Sequence, residues 1–158
     1  TDILSKAYPI SRESIYKGLA NVRKNTGIAG RWHILGFNPL SIADTAHNID
    51  GLKEVFEQIR MTPYKKLHIV LGTVNDKSLD QILRLFPKEA EYYFTQAKVP
   101  RALSADKLCA EAEAFGLSGR IIRDVDKAYA QARINAQSQD FIFVGGSTFV
   151  VAEVLDDD

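Results

Sequence analysis

Apolar positions along this chain recur first at helical spacing and then fall into short runs separated by further helical stripes. Ser11 stands ahead of Ile15, Leu19 and Val22, a spacing that predicts a capped helix ending near Asn25-Thr26-Gly27. Trp32-His33-Ile34-Leu35 and Leu40 to Ala43 read as two short strands. Gly36-Phe37-Asn38-Pro39 between them carries turn chemistry, and so short a connection can join only antiparallel neighbours. From Leu40 onward strand and helix alternate, with further strands at Leu67 to Leu71, Glu91 to Thr95, Arg120 to Arg123 and Phe141 to Val144. The first and last of these are the short apolar runs of strands buried on both faces. Between them lie helical stripes: Leu52, Val55, Phe56 and Ile59; Leu79, Ile82, Leu83 and Phe86; Leu108, Ala112 and Phe115; Val125, Ala128 and Ala132. Repeated βα units predict an α/β fold, a three-layer Rossmann-like sandwich. Its mixed sheet should have about six strands, five of them parallel and one antiparallel at an edge.

Composition narrows the function. At 158 residues the chain is the size of one domain. Lys plus Arg and Asp plus Glu both number 20, so there is no broad basic field for nucleic acid. No run approaches the roughly 20 apolar residues that span a bilayer, and no secretory leader is visible, which predicts no membrane partner and a cytoplasmic location. The one cysteine, Cys109, falls on the stripe with Leu108, Ala112 and Phe115 and reads as a buried thiol in a reducing compartment. The chain starts at Thr1 and contains no Gly-x-x-x-x-Gly-Lys-Ser/Thr phosphate loop, and so reads as a piece of a longer protein.

The candidate chemistry gathers where strands end. In an open α/β sheet the carboxyl ends of parallel strands share one rim, where helix N-termini and loop side chains meet ligands. That rim should collect Asp44, His47 and Asn48; then Asn75, Asp76 and Lys77; then Thr95 and Arg101; and finally Ser147 and Thr148. Asp44 could accept hydrogen bonds from a ribose diol or cap the following helix. His47 could be a base, a metal ligand or a positioning group, although zinc is disfavoured because no second His or Cys lies three to five residues away. Lys77 is either a solvated surface lysine or the partner of an anion, since a cation at a helix start opposes the dipole. Gly145-Gly146 lets the backbone approach a ligand, and Ser147 then adds a hydroxyl to the N–H groups of the next helix. Tyr92, Tyr93 and Phe94 read as core, because flanking helices would cover any stacking platform on the sheet.

Four segments stand out in order: Gly30-Arg31-Trp32, Asp44-Thr45-Ala46-His47-Asn48, Leu71-Gly72-Thr73-Val74-Asn75-Asp76-Lys77 and Gly145-Gly146-Ser147-Thr148. Together they resemble the C-terminal domain of the folate-conjugating ligases, dihydrofolate synthase/folylpolyglutamate synthase, within the Mur ligase superfamily. Phe94 to Leu103 adds a fifth between the last two, and Ile49 stands where many members have proline. The resemblance implies a Mur ligase C-terminal domain over residues 30–155, with residues 1–29 as the connector from an absent N-terminal ATPase domain. It implies ATP-dependent addition of glutamate to dihydropteroate or folate through an acyl phosphate, with the phosphate loop and principal Mg²⁺ ligands in that absent domain. By the same resemblance Arg31 and Asp44 contact ATP, Lys77 and Ser147 take glutamate, and His47 aligns the reacting groups. Asn48 and Arg101 complete the candidate substrate contacts, and no residue here is a metal ligand. Catalysis of this kind rests on charge neutralisation and alignment more than on a covalent nucleophile. The competing readings are another Mur-type amino-acid ligase domain and a stand-alone α/β binding domain.

Overall fold

The computed structural model describes residues 8–75 and 79–156. Its sheet has six strands: β1 (His33–Phe37), β2 (Leu40–Asp44), β3 (Leu67–Leu71), β4 (Glu91–Phe94), β5 (Gly119–Ile121) and β6 (Phe141–Gly145). Their spatial order is β1-β2-β6-β3-β4-β5, with β1 antiparallel to β2 and every other pair parallel. The expected mixed sheet with one antiparallel edge strand is therefore the one observed.

Helices cover both faces. On one lie α3 (Ile49–Met61), α4 (Leu79–Leu83) and α5 (Ala105–Glu113); on the other lie α6 (Val125–Asn135) and α7 (Thr148–Asp156). Strand alternation divides the core accordingly. Leu67, Ile69, Leu71, Phe141 and Phe143 join the first cluster, while Val70, Ile142 and Val144 join Val125, Ala128, Val150 and Val154 in the second. Every residue of β3 and β6 is buried, as both-face coverage requires. Removing a ring such as Phe143 from this packing would cost about 3–5 kcal/mol. Tyr92, Tyr93 and Phe94 are fully buried core residues, as their position in the sequence suggests. Cys109 is buried too, and burial raises its thiol pKa above the usual value.

The N-terminal helix differs from expectation. Ser11 does cap it, its side chain accepting from the Ser14 N–H. The apolar repeat, however, is split by Asn21 into α1 (Arg12–Ala20) and α2 (Val22–Thr26), where the Asn21 side chain donates to the Lys17 carbonyl. Neither helix buries a residue. A contact of 2.6 Å between Arg23 Nη2 and His33 Nε2 links α2 to β1. Gly30 is the first buried residue among those described, packed so closely that a Cβ there would lie 2.8 Å from the Thr45 methyl.

The ends of β2, β4 and β6 shift by one residue from the expected bounds, and those of β1 and β5 by up to two. Trp32 has φ 42°, outside the extended region, so β1 starts at His33 and continues across an irregularity at Ile34/Gly36 to Phe37. The turn is thereby reduced to Asn38-Pro39. β5 runs only from Gly119 to Ile121; beyond it the Ile122 N–H still donates to the Phe94 carbonyl and the Arg123 carbonyl accepts from the Gln96 N–H, while the Arg123 side chain makes a two-pronged contact with Asp106 at 2.7 and 3.0 Å.

Candidate functional site

The register aligns the rim. Gly145 at the end of β6 pairs with Asp44 on one side and with Leu71 on the other, so the loops carrying Arg31, His47, Val74 and Ser147 leave from one edge. The close approach depends on glycine. Gly146 has φ 89°, and a Cβ there would lie 2.5 Å from Leu71 Cδ1 and 2.9 Å from the Gly72 carbonyl oxygen.

At this edge His47, Val74, Arg101, Ser147, Thr148 and Phe149 line a cleft of about 310 Å³. Three of the expected site residues, from three different strand ends, thus meet in one space. His47 is exposed, and its Nδ1 lies 2.9 Å from the Thr45 carbonyl oxygen. A carbonyl can only accept, so Nδ1 carries the hydrogen and Nε2 of the neutral ring is left as an acceptor. Ser147 is buried at the start of α7, where its Oγ accepts from the Phe149 N–H at 3.2 Å and its carbonyl from the Val151 N–H at 3.2 Å. The hydroxyl keeps its own hydrogen for a further acceptor. Arg101 is exposed, with its guanidinium carbon 5.9 Å from the centre of the Phe149 ring, a cation–π arrangement that leaves the N–H fork open. The wall between them is a short ribbon: Val74 bridges Ala102, the Asn75 N–H donates to the Arg101 carbonyl at 3.2 Å, and the Leu103 N–H donates to the Thr73 carbonyl at 2.9 Å.

Arg31 and Asp44 meet beside this cleft, not within it. The Asp44 carboxylate is buried; Oδ2 accepts from the Trp32 N–H at 2.7 Å and Oδ1 from the Ala46 N–H at 2.8 Å. Arg31 Nη1 lies 3.9 Å from Oδ1, with 65% of the Arg31 side chain exposed. Asp44 therefore binds two loops together and orients Arg31, and it does not cap a helix. That task falls to Asn48, whose Oδ1 accepts from the Gly51 N–H at 2.8 Å at the start of α3. Ile49 occupies the first helical position, where proline is also well tolerated, so its presence leaves the turn intact.

Thr95 is fully buried and does not line the cleft; its hydroxyl and that of Thr73 have no hydrogen-bond partner among the described residues. Asp76 and Lys77 lie outside the described residues. His33 and His68 are buried in strands. Among the described residues no three His, Cys, Asp or Glu side chains gather as a metal site, and no helix is long and apolar enough to cross a membrane. Val74 and Phe149 are cleft residues that the sequence did not single out, and Phe149 is the one with a readable signal. Its signal was an aromatic in the first turn of a helix, beside the buried Val150 and Val151; it packs partly against that core and partly lines the cleft.

The model of the Mur ligase glutamate ligase domain matches residues 30–148. The chain is 30% identical over 147 residues to a Haloferax volcanii protein named probable bifunctional folylpolyglutamate synthase/dihydropteroate synthase, covering 91% of this chain and 17% of that protein. It is similar to the crystal structure of a bifunctional folylpolyglutamate synthase/dihydrofolate synthase from Yersinia pestis complexed with AMPPNP and Mn ion, with TM-score 0.80 and 28% identity. That likeness covers 95% of this chain and 35% of the other. A structure of the same kind of enzyme with Mn, AMPPNP and L-glutamate bound gives TM-score 0.81 at 29% identity, again over 95% of this chain and 35% of the other. The chain thus spans only a minor part of these relatives' length. With this fold, this arrangement at the rim and a match over most of its length, the chain belongs to the Mur ligase family as a glutamate ligase domain.

Proposed function

We propose that this chain is the C-terminal, glutamate-binding part of an ATP-dependent folylpolyglutamate synthase/dihydrofolate synthase, which joins glutamate to a pteroate or folyl carboxyl group. The observation that carries this reading is the convergence of His47, Arg101 and Ser147 in one cleft of about 310 Å³. That volume lies at the small end of ligand pockets, roughly 300–1,000 Å³, and suits an amino acid better than a nucleotide. Arg101 offers a planar cationic fork, and Ser147 offers a hydroxyl beside the N–H groups of α7; both suit carboxylates. Lys77 is assigned to the same carboxylates by family likeness, with Asn48 at the margin through the amide nitrogen left over from capping. The relative with L-glutamate bound is consistent with this ligand.

In the ligation the glutamate amine attacks the carbonyl carbon of an acyl phosphate, the C–N bond forms, and the C–O bond to phosphate breaks. This chain's part is to fix the amine at the carbonyl and take up its charge. His47 Nε2, the acceptor left by the Nδ1 contact with Thr45, takes one proton from the ammonium and so frees the lone pair that attacks carbon; the second proton the nitrogen sheds on becoming an amide leaves with the phosphate. Arg31, exposed and held by Asp44, is suited to contact ATP, which supplies the phosphoryl group. Asp44 has spent two acceptor positions on backbone N–H groups, so its contribution to ATP is chiefly through Arg31. The described residues offer no three-ligand metal site, and Mg²⁺ belongs mainly to the preceding domain in this reading. Residues 1–29 are the connector from that domain, supported by the lack of burial in α1 and α2 and by burial beginning at Gly30. The setting is the cytoplasm, and the isolated fragment is inactive.

Steady-state kinetics of the full-length protein, with ATP and glutamate varied separately, test the assignment. Ser147→Ala should raise the glutamate requirement by roughly 10- to 150-fold, the equivalent of about 1.5–3 kcal/mol for a hydrogen bond to a charged group. Arg31→Ala should act on ATP. An exchange of the two effects, or glutamate-dependent ADP release by the fragment alone, would refute it.

A further inference from the structure

Residues 96–103 carry Arg101 over the cleft and are tied down on both flanks. Towards the cleft they join the 73–75 ribbon through the Arg101 carbonyl and the Leu103 N–H. On the far side the Lys98 N–H donates to Glu153 Oε1 on α7, and Lys98 Nζ lies 3.3 Å from Asp124 and 3.9 Å from Asp126 at the start of α6. The tip is a turn closed by the Ala102 N–H to the Val99 carbonyl at 3.0 Å.

Glu153 is out of character with its helix. It is the only charged residue in 148–155, a stretch that gives Val150, Val151 and Val154 to the core, and its Oε2 is buried without a hydrogen-bond partner among the described residues. A carboxylate in such a place costs stability unless something needs it. Glu153 lies four residues beyond Phe149, on the same side of α7, so this one helix holds Arg101 through the Phe149 ring and Lys98 through Glu153. Asp124 serves twice: its Oδ1 accepts from the Lys127 N–H as the cap of α6, and its other oxygen faces Lys98. The Lys98 pKa is raised, first by its hydrogen bond to Asp124, and the Asp124 carboxyl is lowered, first by the Lys127 N–H and then, against some loss of solvation, by Lys98.

We propose that Lys98, clasped between Glu153 of α7 and Asp124 of α6, is a positioning residue that sets Arg101 over the cleft and so tunes its affinity for a carboxylate ligand. The ligand's identity as glutamate rests on the reading above; the clasp itself does not. Lys98 touches no ligand and acts only through the loop. Lys98→Met removes the ion pairs and keeps the stem, Glu153→Leu removes the acceptor of the N–H, and Lys98→Arg keeps the charge.

Two measurements on the full-length protein test this. Hydrogen exchange should show residues 96–103 exchanging faster in Lys98→Met and Glu153→Leu, with protection largely restored in Lys98→Arg. The glutamate KM should rise roughly 3- to 10-fold in both loosened variants, with the ATP KM unchanged and no further rise when Lys98→Met is placed on Arg101→Ala, as coupled residues require. Unchanged exchange in the loop would overturn the proposal, as would an undiminished Lys98→Met effect in the Arg101→Ala background. If Arg101→Ala and Ser147→Ala both left the glutamate KM unchanged while loop exchange still rose, the glutamate reading would fall and the clasp would stand.

Discussion

The two edges of the sheet use similar side chains to opposite ends. At the amino edge, His68 is fully buried with Nε2 3.3 Å from Asp140 Oδ2 and Nδ1 3.2 Å from the Tyr93 hydroxyl. That hydroxyl donates to Glu91 at 3.0 Å and accepts from Asn135 at 3.0 Å, while Lys66 pairs with Glu91 and the Gln137 N–H donates to Asp140 at 2.7 Å. At the carboxyl rim, His47 and Arg101 are exposed, and among the described residues each side chain has one partner, the Thr45 carbonyl and the Phe149 ring respectively. The network at the amino edge is closed and the rim is open. A buried polar group must be paired inside the protein, whereas a group meant for a ligand keeps an unpaired face. Residue type alone does not separate the two histidines; their partners do.

The largest consequence of this contrast should appear on truncating the histidines in the full-length protein. His47→Ala should lower kcat by roughly 10²- to 10⁴-fold, the range of a positioned proton acceptor, while leaving the melting temperature of the domain unchanged. A loss of stability comparable to that of a core mutation would place His47 with the structural network instead. His68→Leu should do the reverse: a stability loss of about 1–3 kcal/mol in urea unfolding, from stranding Asp140 and Tyr93, with neither KM altered.

Asp44 stands between these cases, at the rim but already paired. Asp44→Asn leaves a single acceptor oxygen for the two N–H groups of Trp32 and Ala46, so a loss of about 0.5–1.5 kcal/mol should accompany a raised ATP KM. Either effect without the other would reassign the residue. The smallest effect concerns Glu91, whose pKa is lowered, first by its hydrogen bond to Lys66. A carboxyl with a lowered folded pKa adds stability above its unfolded pKa and loses it as pH falls through the folded value. Wild type should therefore lose stability faster than Glu91→Gln in urea titrations taken from about pH 7 to about pH 3. Equal slopes would mean that the Lys66 contact is not kept in solution.

The sequence made the sheet legible because burial on both faces demands uninterrupted apolar runs; Leu67–Leu71 appears in the structure with the expected bounds. Boundaries that turn on individual residues were not legible. Asn21 splits a helix whose apolar repeat runs through it, and β5 stops two residues short of Arg123, whose side chain bonds Asp106, 17 positions away. The rim could be read from polar residues following strands, but which of their atoms were already committed could not. Asn48 is spent partly on capping and Asp44 on two backbone N–H groups, and Thr95 is turned inward. Glu153 and Lys98, 55 positions apart, show nothing in the sequence that marks them as partners.

The place of β6 bears on how the chain is made. It is the last strand in sequence yet lies between β2 and β3, bonded along its length to both. As a nascent chain leaves the ribosome, the β1-β2 hairpin and the β3-β4-β5 group share no ladder until residues 141–145 emerge, so each presents a bare edge to its neighbours in the meantime. Pairings this distant in sequence form slowly. Both halves of the carboxyl rim come into being together at that moment, and a translation product stopped short of Phe141 would be an aggregation hazard without an assembled cleft.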